Sequence, residues 1–562
     1  MKASNQKRKH THMKTLRLFA TCGLCAFALT SANAQTKPES MIPHLRKQGT
    51  ATQLIVDGKP YLALAGELRN STTSSEAYMK PIWPRMTAAH LNTVLAAVTW
   101  ELLEPQEGKF DFTVVDNILR DARASNQRVV LLWFGSWKNG KSTYQPLWMK
   151  TNQVRFPLIQ NEQGKTLPTL TTLSDVNRDS DSRAYAALMK HLREVDGSKH
   201  TVLMMQVENE TGVLDTPRDY SPAANKAFNG PVPAELMAYL QAHKEQLIPQ
   251  LRQAWQAAGF KTSGAWEEVF GKSTVNMNDW QAYSYFTEEI FMAWNYARYV
   301  GRVAAAGKAE YDIPMYMNTW IKQPISGAPG QYPSGGPQPT VLDIWHAGAP
   351  AIDIFSPDCH LTNFTDWCRW YTQAGNPLFI PESAGDAVGA AHALWILGKY
   401  DGIGFSPFGI DGGAAPNTAL SRVYQVISQV APLILEHQGN GSMSAIVLDK
   451  AATSETVRVG NYNIEARSGR GPGGATNPPV ALFICTGPDD YVIVAKGVNL
   501  YFTAATEPFD NVALATVEEG VYANGKWVPG RRLNGDETPE WKAMRFNGDD
   551  YTMQRVTLFR YH

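Results

Sequence analysis

Two glutamates stand in short motifs whose residue types could break a bond: Glu210 in QVENETG and Glu382 in IPESAGD. Each motif follows or ends an apolar run, where a strand would deliver a side chain. Cutting a glycosidic bond requires a proton for the leaving oxygen and a partner for the oxocarbenium-like carbon, and two carboxylates can supply both. The motifs therefore predict a catalytic pair, and a salt bridge at the rim of the fold is the plainer alternative for Glu382.

The neighbours of both glutamates suit this chemistry. Asn209 can place its amide beside the 2-hydroxyl of a sugar, and we interpret Glu208 as a structural carboxylate within the strand end. Pro381 fixes the backbone before Glu382, and the small residues at 383–385 leave room for a sugar ring. In such a pair the acid needs a raised pKa, whereas the nucleophile must be ionised.

Eight short apolar runs are spaced along the chain so that they could position these motifs. Helix-like segments separate most of them, for example at 113–125, 183–195 and 235–258. Near-continuous apolar runs are typical of parallel strands covered on both faces, so the pattern predicts an α/β fold, a (β/α)8 TIM barrel. The runs are residues 62–66, 92–98, 129–134, 201–207, 313–320, 351–357, 378–383 and 402–409.

Polar and aromatic residues follow the other predicted strands as well. Active residues of such barrels lie at the carboxyl ends of the strands, so these residues should surround one pocket. Long Gly- and Pro-rich segments at 138–182 and 323–340 are expected to form lids over it. The residues at the strand ends are Glu67, Arg69, Trp100, Glu101, Trp137, Lys138, Asn318, Trp320, Asp358 and His360, and Arg69, Trp320 and His360 could equally serve a salt bridge or cap the core.

The pattern of apolar residues changes near residue 441. Residues 42–437 are predicted to form the barrel. From about residue 441 the chain shows short alternating runs between Gly, Asn and Pro turns, such as YVIVAKG and RVTLFRYH. This pattern predicts an all-β, sandwich-like domain over residues 438–562.

The first 34 residues are predicted to be an export signal. A basic stretch precedes an apolar run from Leu18 to Leu29, and Ala32-Asn33-Ala34 has the form of a cleavage site. The protein is therefore expected to be periplasmic or secreted. In such a compartment Cys359 and Cys368 could form a disulfide, or both could stay free, because sequence does not give their Cα separation.

Several classes of function are excluded by composition. Lys and Arg number 52 and Asp and Glu also 52, so the balanced charge does not favour nucleic acid or an anionic membrane as a partner. No His and Cys cluster has the spacing of a metal site, and no Gly-rich phosphate loop follows a strand. We expect the protein to hydrolyse its substrate without a cofactor or metal, and we expect that substrate to be uncharged. The size of the chain suggests a homodimer.

Taken together, these motifs resemble glycoside hydrolase family 35, a family of β-galactosidases. QVENETG matches the family's Q-x-E-N-E-Y-G motif, which implies acid/base catalysis by Glu210 and a sugar contact by Asn209. The sequence PES matches the nucleophile motif and implies that role for Glu382. TWELLEPQEGKFDF, residues 99–112, matches W-N-x-H-E-P followed by G-x-F-D-F. The resemblance spans residues 42–435.

The chain departs from the family after the third strand. FGSWKNG replaces a segment that carries a sugar-binding glutamate, so Trp137, Lys138 or Asn139 is expected to take its place. Thr211 replaces the family's tyrosine, and Glu101 stands where the family has an asparagine. These departures resemble a bacterial subgroup with a β-rich C-terminal domain, which implies removal of galactose from plant polysaccharides such as xyloglucan.

The sequence thus predicts an exported, retaining β-galactosidase acting on galactoside oligosaccharides or polysaccharides, with its two carboxyl groups about 5 to 5.5 Å apart. Another β-glycosidase of the same clan, acting on arabinosides, glucuronides or glucosides, is the alternative among enzymes. A carbohydrate-binding protein whose barrel has lost activity is the alternative from another class.

Overall fold

The computed structural model describes residues 41–272, 286–322, 327–360, 363–449, 452–469, 477–506 and 511–562. The predicted export signal, residues 1–34, lies outside this part of the chain. Within it, no helix combines the length and the apolar character that crossing a bilayer would need.

The strands of the first three quarters of the chain alternate with helices. In chain order they are β1 (His44–Gln48), β2 (Ala51–Val56), β3 (Lys59–Tyr61), β4 (Ala63–Glu67), β5 (Thr93–Thr99), β6 (Arg128–Lys138), β7 (Leu158–Gln160), β8 (Thr166–Leu170), β9 (Val202–Asn209), β10 (Met315–Trp320), β11 (Ile354–Cys359), β12 (Phe379–Ile380), β13 (Glu382–Ser383) and β14 (Gly404–Phe405).

Nine of these segments form one parallel sheet in the order β12-β14-β4-β5-β6-β9-β10-β11-β13. The two end segments, β12 and β13, are halves of one strand separated by Pro381, which has no N–H to donate to a neighbour. One half pairs with β14 and the other with β11, so the sheet closes on itself. The predicted (β/α)8 barrel is confirmed, and each of the eight apolar runs contributes one strand position.

Side chains alternate between the inside of the barrel and the helical layer around it. Small and medium apolar residues such as Ala63, Leu95 and Met204 share the interior cluster, as expected for a filled barrel. The antiparallel sheet β1-β2-β3 adds Leu54 and Val56 to the same cluster. The barrel is therefore a packed core rather than a channel, and its chemistry is confined to one end.

The helices are, in chain order, α1 (Glu76–Met79), α2 (Trp83–Ala88), α3 (Trp100–Leu103), α4 (Thr113–Ala124), α5 (Leu147–Lys150), α6 (Asp175–Asp196), α7 (Pro222–Phe228), α8 (Ala234–Ala242), α9 (Pro249–Ala257), α10 (Trp266–Phe270), α11 (Thr287–Glu310), α12 (Leu342–Gly348), α13 (Phe364–Tyr371), α14 (Ala387–Lys399), α15 (Ile410–Gly413) and α16 (Ala419–His437).

Two of the predicted helices differ from the observed ones. The helix predicted over 235–258 is two helices, α8 and α9, because Pro249 cannot continue a helix and Ile248 before it is extended, with ψ 130°. The helix predicted from residue 183 begins earlier, since the Ser174 side chain accepts a hydrogen bond from the backbone N–H of Asn177 and caps α6. The insertion after the third barrel strand therefore ends near residue 174, and it contains α5 and the β7-β8 hairpin.

Residues beyond α16 form two antiparallel sheets that face each other across a second core. One sheet has the order β15-β18-β19-β24-β21-β22 and the other β16-β17-β20-β23. An all-β C-terminal region was predicted and is confirmed. Its strands are β15 (Met443–Val447), β16 (Ser454–Val459), β17 (Tyr462–Ser468), β18 (Val480–Cys485), β19 (Asp490–Lys496), β20 (Val498–Ala504), β21 (Asn511–Ala523), β22 (Lys526–Arg532), β23 (Ala543–Phe546) and β24 (Thr552–Tyr561).

The larger sheet packs its outer face against the barrel helix α14. Leu482 and Val494 belong to the cluster of the barrel's helical layer rather than to the core between the two sheets. Gly398 lies at this contact, where an added Cβ would stand 2.3 Å from Leu482 Cδ1. The absence of a side chain at Gly398 thus lets helix and sheet approach closely.

Both cysteines that were considered for a disulfide are free and buried. Cys359 ends β11 and Cys368 lies in α13, and burial raises the pKa of each thiol well above its usual value. They pack as small apolar side chains.

Shortening Leu482 should destabilise the protein through the contact between barrel and sandwich. Leu482 is 0% exposed, so Leu482→Ala removes buried methyl groups and leaves a cavity, and we expect a loss of about 2–5 kcal/mol in the free energy of unfolding. Urea unfolding followed by circular dichroism measures it. Val154→Ala is the control, because Val154 is 99% exposed and should change stability by less than about 0.5 kcal/mol. Equal effects of the two substitutions would contradict the packing argument.

Candidate active site

Four carboxyl groups meet at the carboxyl end of the barrel. Glu67 ends β4, Glu210 follows β9, Asp358 lies in β11 and Glu382 begins β13. Their exposed fractions are only 1%, 9%, 4% and 7%. One carboxyl oxygen each of Glu210, Asp358 and Glu382 lies within 4.8 Å of the other two. The two glutamates predicted from the motifs therefore share one enclosed site.

The backbone around Glu210 is held in an unusual conformation. Glu208 and Glu210 have φ of +63° and +44°, values that cost energy for residues other than glycine. The backbone N–H of Glu210 donates to Asn318 Oδ1 at 2.9 Å, and Asn318 Nδ2 donates to Asp358 Oδ2 at 2.9 Å. These bonds fix the end of β9 relative to β10 and β11 and so aim the Glu210 side chain into the site.

Glu208 is turned away from this site, toward the helical layer. Its Oε2 accepts a hydrogen bond from the backbone N–H of Trp137 at 2.8 Å. Burial, and then the neighbouring Asp181, raise the pKa of Glu208 well above its usual value. This placement agrees with the interpretation of Glu208 as a structural carboxylate.

The third barrel strand brings a cation and an amide to Glu210. Lys138 Nζ lies 3.7 Å from Glu210 Oε2, and the Lys138 side chain is 6% exposed. The backbone N–H of Asn139 donates to the carbonyl oxygen of Asn209 at 3.1 Å, and the Asn139 side chain hydrogen-bonds to Glu210. Asn209 itself is buried, and neither of its side-chain polar atoms has a hydrogen-bond partner within the described residues. The amide is thus both unpartnered and shielded from solvent in this structure.

The surroundings of Glu210 favour its protonated form. Burial is the largest cause of its raised pKa and the charge of Glu382 the next, while Lys138 and hydrogen bonds from Asp358 and Asn139 act in the opposite direction. A carboxyl group in this balance keeps its proton to higher pH than in water and can still give it up, as a general acid must.

Glu67 and Asp358 are pushed further toward the neutral state. Burial raises the pKa of both well above its usual value, and the charge of Glu382 is the next cause for each. Glu67 hydrogen-bonds to Glu382, and Asp358 hydrogen-bonds to Glu210. Both environments therefore favour the neutral form of these carboxyl groups beside Glu210 and Glu382.

The exposed side of Glu382 is covered by His360. His360 Nε2 lies 3.3 Å from Glu382 Oε2, and the imidazole is 45% exposed. The ring of Phe408 meets the imidazole edge to face at 6.3 Å between centroids. The prediction that His360 lies in the pocket thus agrees with its position beside Glu382.

Three of the predicted sugar-binding residues do not converge on the catalytic pair. The Trp137 ring is buried between Tyr296 and Tyr299, and its Nε1 donates to the carbonyl oxygen of Leu170 at 3.2 Å, so the expectation that Trp137 replaces a sugar-binding group is corrected: its ring belongs to the core. The pairing of β6 with β9 has a bulge after Trp133. Beyond this bulge the Trp137 side chain packs in the helical layer around the barrel rather than at its mouth.

The other two residues are engaged at the rim. Arg69 Nη1 lies 3.4 Å from Asp411 Oδ2, which is the salt bridge that sequence had left open as its alternative role. Glu101 Oε2 lies 3.2 Å from Lys150 Nζ in the insertion after the third strand. Arg69 and Glu101 thus lie at the rim of the barrel, and neither forms an ion pair with the four central carboxyl groups.

Sequence reasoning placed Glu67, Asp358 and Asn318 at strand ends without selecting them as site residues. The sequence does indicate a special role for Glu67. It ends the apolar run LALAGE, and a glutamate in a buried strand is expected to be buried with it. For Asp358 and Asn318 the signal was weaker, since their importance arises from hydrogen bonds to Glu210 that only the closed barrel creates.

The donor set could also accept a cation. The three carboxyl oxygens of Glu210, Asp358 and Glu382 are hard ligands of the kind that Mg²⁺ or Ca²⁺ prefers. The ammonium of Lys138 already supplies a positive charge to this cluster, and burial raises the pKa of two of the carboxyl groups, those of Glu210 and Asp358.

Parts of the chain match known families. Residues 71–326 match the model of glycoside hydrolase family 42, described as beta-galactosidase, and residues 420–550 match a model described only as a domain of unknown function. A beta-galactosidase of Xanthomonas manihotis is 38% identical over 109 residues, which are 19% of this chain and 18% of that protein.

Similar solved structures share low identity with this chain. The cold-adapted beta-galactosidase from Rahnella sp. R3 has a TM-score of 0.44 at 15% identity, covering 66% of this chain and 57% of its own. The beta-galactosidase from Marinomonas ef1 has 0.42 at 13%, with 66% and 60% covered. The catalytic domain of a beta-amylase from Paenibacillus polymyxa has 0.44 at 13%, with 65% and 97% covered.

These matches support the prediction of a glycoside hydrolase. The family model that matches is that of family 42 and spans less than half of the chain, and the resemblance to family 35 is not shown. The domain-of-unknown-function model begins within the last barrel helix, α16, and so includes the barrel side of the contact with the sandwich.

Removing the carboxyl group of Glu67 should make the protein less sensitive to alkaline pH. Folding raises the pKa of Glu67, so its contribution to stability is complete below the unfolded-state value near 4.5 and is lost as the pH rises toward the folded value. Glu67→Gln keeps a hydrogen-bond donor and does not titrate. We therefore expect its melting temperature to exceed that of the wild type by a margin that grows between pH 5 and pH 8.

Thermal unfolding at several pH values measures this margin. Glu267→Gln, at an exposed position of α10, serves as the matched control and should show a margin that is flat with pH. A margin for Glu67→Gln that is constant or shrinks with rising pH would mean that Glu67 is ionised in the folded protein.

Proposed function

We propose that this protein is an exported, retaining β-galactosidase that removes terminal β-D-galactosyl residues from oligosaccharides or from the side chains of plant polysaccharides such as xyloglucan. The observation that carries the proposal is the approach of Glu210 and Glu382, whose oxygens lie within 4.8 Å in one buried site. Retaining glycosidases hold their carboxyl groups about 5 to 5.5 Å apart, and inverting ones leave room between them for a water molecule.

The environments of the two glutamates support different roles. The pKa of Glu210 is raised by burial and by the charge of Glu382, which suits the proton donor. Glu382 begins β13, with His360 Nε2 3.3 Å from its Oε2, and we assign it the role of the attacking group. Glu210 is therefore the acid/base group and Glu382 the nucleophile.

In the first step, Glu382 attacks the anomeric carbon while the bond from that carbon to the leaving oxygen breaks. The proton of Glu210 passes to the leaving oxygen, and a galactosyl ester forms on Glu382. In the second step Glu210 takes a proton from water, whose oxygen attacks the same carbon, and the ester bond breaks. Two inversions leave the galactose with its β configuration and return both glutamates to their starting states.

Sugar recognition is assigned to groups around this pair. We assign to Asn209, whose amide has no partner within the described residues, the contact with a hydroxyl beside the reacting carbon. Lys138 and Asn139 contact Glu210 and take the place of the sugar-binding glutamate that the resemblance to family 35 leads one to expect at the third strand. The export assignment is supported by the signal-like pattern of residues 1–34.

Chemical rescue should distinguish the two glutamates. Glu382→Gly should lower kcat by at least about 10³-fold, and azide should restore turnover of an activated galactoside and yield α-galactosyl azide, because azide attacks from the nucleophile's side. Glu210→Gly should lose about 10²- to 10⁴-fold on substrates with a poor leaving group, and azide should yield β-galactosyl azide. NMR of the azide products identifies each anomer.

Glu107→Gln is the control for these variants. Glu107 pairs with Arg155 at 2.7 Å on the surface and should leave turnover unchanged. Exchanged anomers would reverse the two roles, and full activity of Glu382→Gly would exclude Glu382 as the nucleophile. Absence of turnover by the wild type on every glycoside would favour a carbohydrate-binding protein over an enzyme.

A panel of nitrophenyl glycosides tests the sugar. We expect kcat/KM for the β-galactoside to exceed those for the α-L-arabinoside, β-glucuronide and β-glucoside by at least about tenfold, since buried polar groups discriminate strongly between hydroxyl arrangements. Proton NMR during hydrolysis should show β-galactose as the first anomer. Preference for another glycoside would transfer the same mechanism to that sugar, and first release of the α anomer would exclude retention.

A further inference from the structure

We propose that Glu208 and Asp181 share one proton, and that this pair positions the end of the third barrel strand against the general acid Glu210. Glu208 lies in β9 and Asp181 in α6, and both side chains are fully buried. Glu208 carries the proton and donates it in a hydrogen bond to Asp181. The inference rests on the proposed function, because the strand end that is positioned serves Glu210 in its acid/base role.

The pair lies beside the bulge of β6. Trp133 pairs with Val207 and Lys138 pairs with Asn209, so β6 advances from 133 to 138 while β9 advances only from 207 to 209. The backbone N–H groups inside such a bulge lose their ladder partners, and buried N–H groups need an acceptor. At this point side-chain carboxyl groups take the place of the neighbouring strand.

Each carboxyl group accepts hydrogen bonds from the bulge. The backbone N–H of Trp137 donates to Glu208 Oε2 at 2.8 Å, and that of Ser136 donates to Asp181 Oδ2 at 3.3 Å. The Ser136 hydroxyl donates to the same Asp181 oxygen at 2.6 Å, and Trp133 Nε1 donates to Asp181 Oδ1 at 2.9 Å. Asp181 thus accepts on both oxygens, as the carboxylate of the pair should.

A glycine lets the two carboxyl groups approach each other. A Cβ added at Gly135 would stand 2.7 Å from Glu208 Oε1 and 2.9 Å from Asp181 Oδ1. Glu208 Oε1 is buried and accepts no hydrogen bond from the described residues, yet the Glu208 carboxyl group hydrogen-bonds to Asp181. A proton on Glu208, donated to Asp181, accounts for both observations.

The surroundings hold no cation that would allow both groups to be ionised. Within the described residues neither Glu208 nor Asp181 forms an ion pair, and Arg178 of α6 pairs instead with Asp175 and Asp179 at 2.7 and 2.9 Å. Two buried carboxyl groups without a cation must keep one proton between them. The other titratable groups packed around them are tyrosines that stay neutral because burial raises their pKa values, namely Tyr185 of α6 and Tyr296 and Tyr299 of α11.

The bulge delivers two groups to Glu210. Lys138 follows directly, and its Nζ lies 3.7 Å from Glu210 Oε2. The backbone N–H of Asn139 donates to Asn209 O at 3.1 Å, and the Asn139 side chain hydrogen-bonds to Glu210. Against the larger effects of burial and of the charge of Glu382, both groups lower the pKa of Glu210. The position of the bulge therefore sets how readily the general acid gives up its proton.

Infrared difference spectroscopy tests where the proton lies, and it does not require activity. Glu208→Gln keeps an acceptor for the bulge and a donor for Asp181 but removes the carboxyl group. We expect the wild type minus Glu208→Gln spectrum at neutral pH to contain the C=O band of a protonated carboxyl group. Glu194→Gln, at an exposed position of α6, is the control and should give carboxylate bands. Carboxylate bands for Glu208 as well would overturn the shared proton.

Turnover tests the positioning role. Asp181→Asn turns an amide N–H toward a donor of the bulge in either orientation, so Lys138 should move away from Glu210. We expect kcat/KM on a β-galactoside to fall at least about tenfold, and its basic limb to move at least about 0.5 unit to higher pH, because Glu210 loses a cation. Glu208→Leu should act likewise, whereas the conservative Glu208→Gln should stay within about threefold of the wild type.

A double variant separates positioning from a general loss of stability. Lys138→Met removes the cation itself and should move the basic limb in the same direction as Asp181→Asn. Combining the two should move it no further than Lys138→Met alone, because both act through one group. Additive shifts, or an unmoved basic limb in Asp181→Asn, would overturn the positioning role.

Two outcomes need a substitute measurement. If Asp181→Asn does not fold, Glu208→Leu takes its place in the same comparison with Lys138→Met. If the wild type hydrolyses no glycoside, the proposed function fails, and the infrared spectra alone decide whether Glu208 and Asp181 share a proton.

Discussion

The structure depends on holding four carboxyl groups together in a space that water hardly reaches. Like charges at such distances and in such burial cannot all be ionised, so protons must be retained by some members of the cluster. The pKa values of Glu67 and Asp358 are raised well above their usual range, that of Glu210 is also raised, and Lys138 lies beside Glu210. Only a closed barrel can impose this, because the groups come from strand ends far apart in the sequence.

Much of the barrel could be predicted because its strands are apolar on both faces and the spacing of such runs is visible in the sequence. The split of the seventh strand at Pro381 was hidden, since the run LFIPES reads as one strand while proline removes a ladder hydrogen bond. The error at 235–258 has the same origin. A helical pattern of apolar residues continues through Pro249, but the residue before a proline avoids helical dihedrals.

The site was predictable where a motif carried it and not where contacts created it. Glu210 and Glu382 stand in recognisable sequences, and the structure brings them together. Trp137 was a reasonable candidate by position, but a bulge in β6 turns its ring into the core, and pairing register is a property of two strands rather than one. The raised pKa of Glu67 is likewise invisible in sequence, because it follows from burial and from a charge contributed by another strand.

Glu67 at the end of the first barrel strand, β4, and Lys138 at the end of the third, β6, belong to one electrostatic arrangement. A carboxylate at the end of the third strand, as the resemblance to family 35 would suggest, would add a further negative charge to a cluster that already contains Glu67 and Asp358. Lys138 at that place changes the local charge in the opposite direction and lies 3.7 Å from Glu210. The same positive charge lowers the pKa of Glu67, which is 1% exposed, against the larger effects of burial and of the charge of Glu382. Lys138 thus acts on both Glu210 and Glu67, and in each case it offsets part of the rise in pKa that burial and the charge of Glu382 cause.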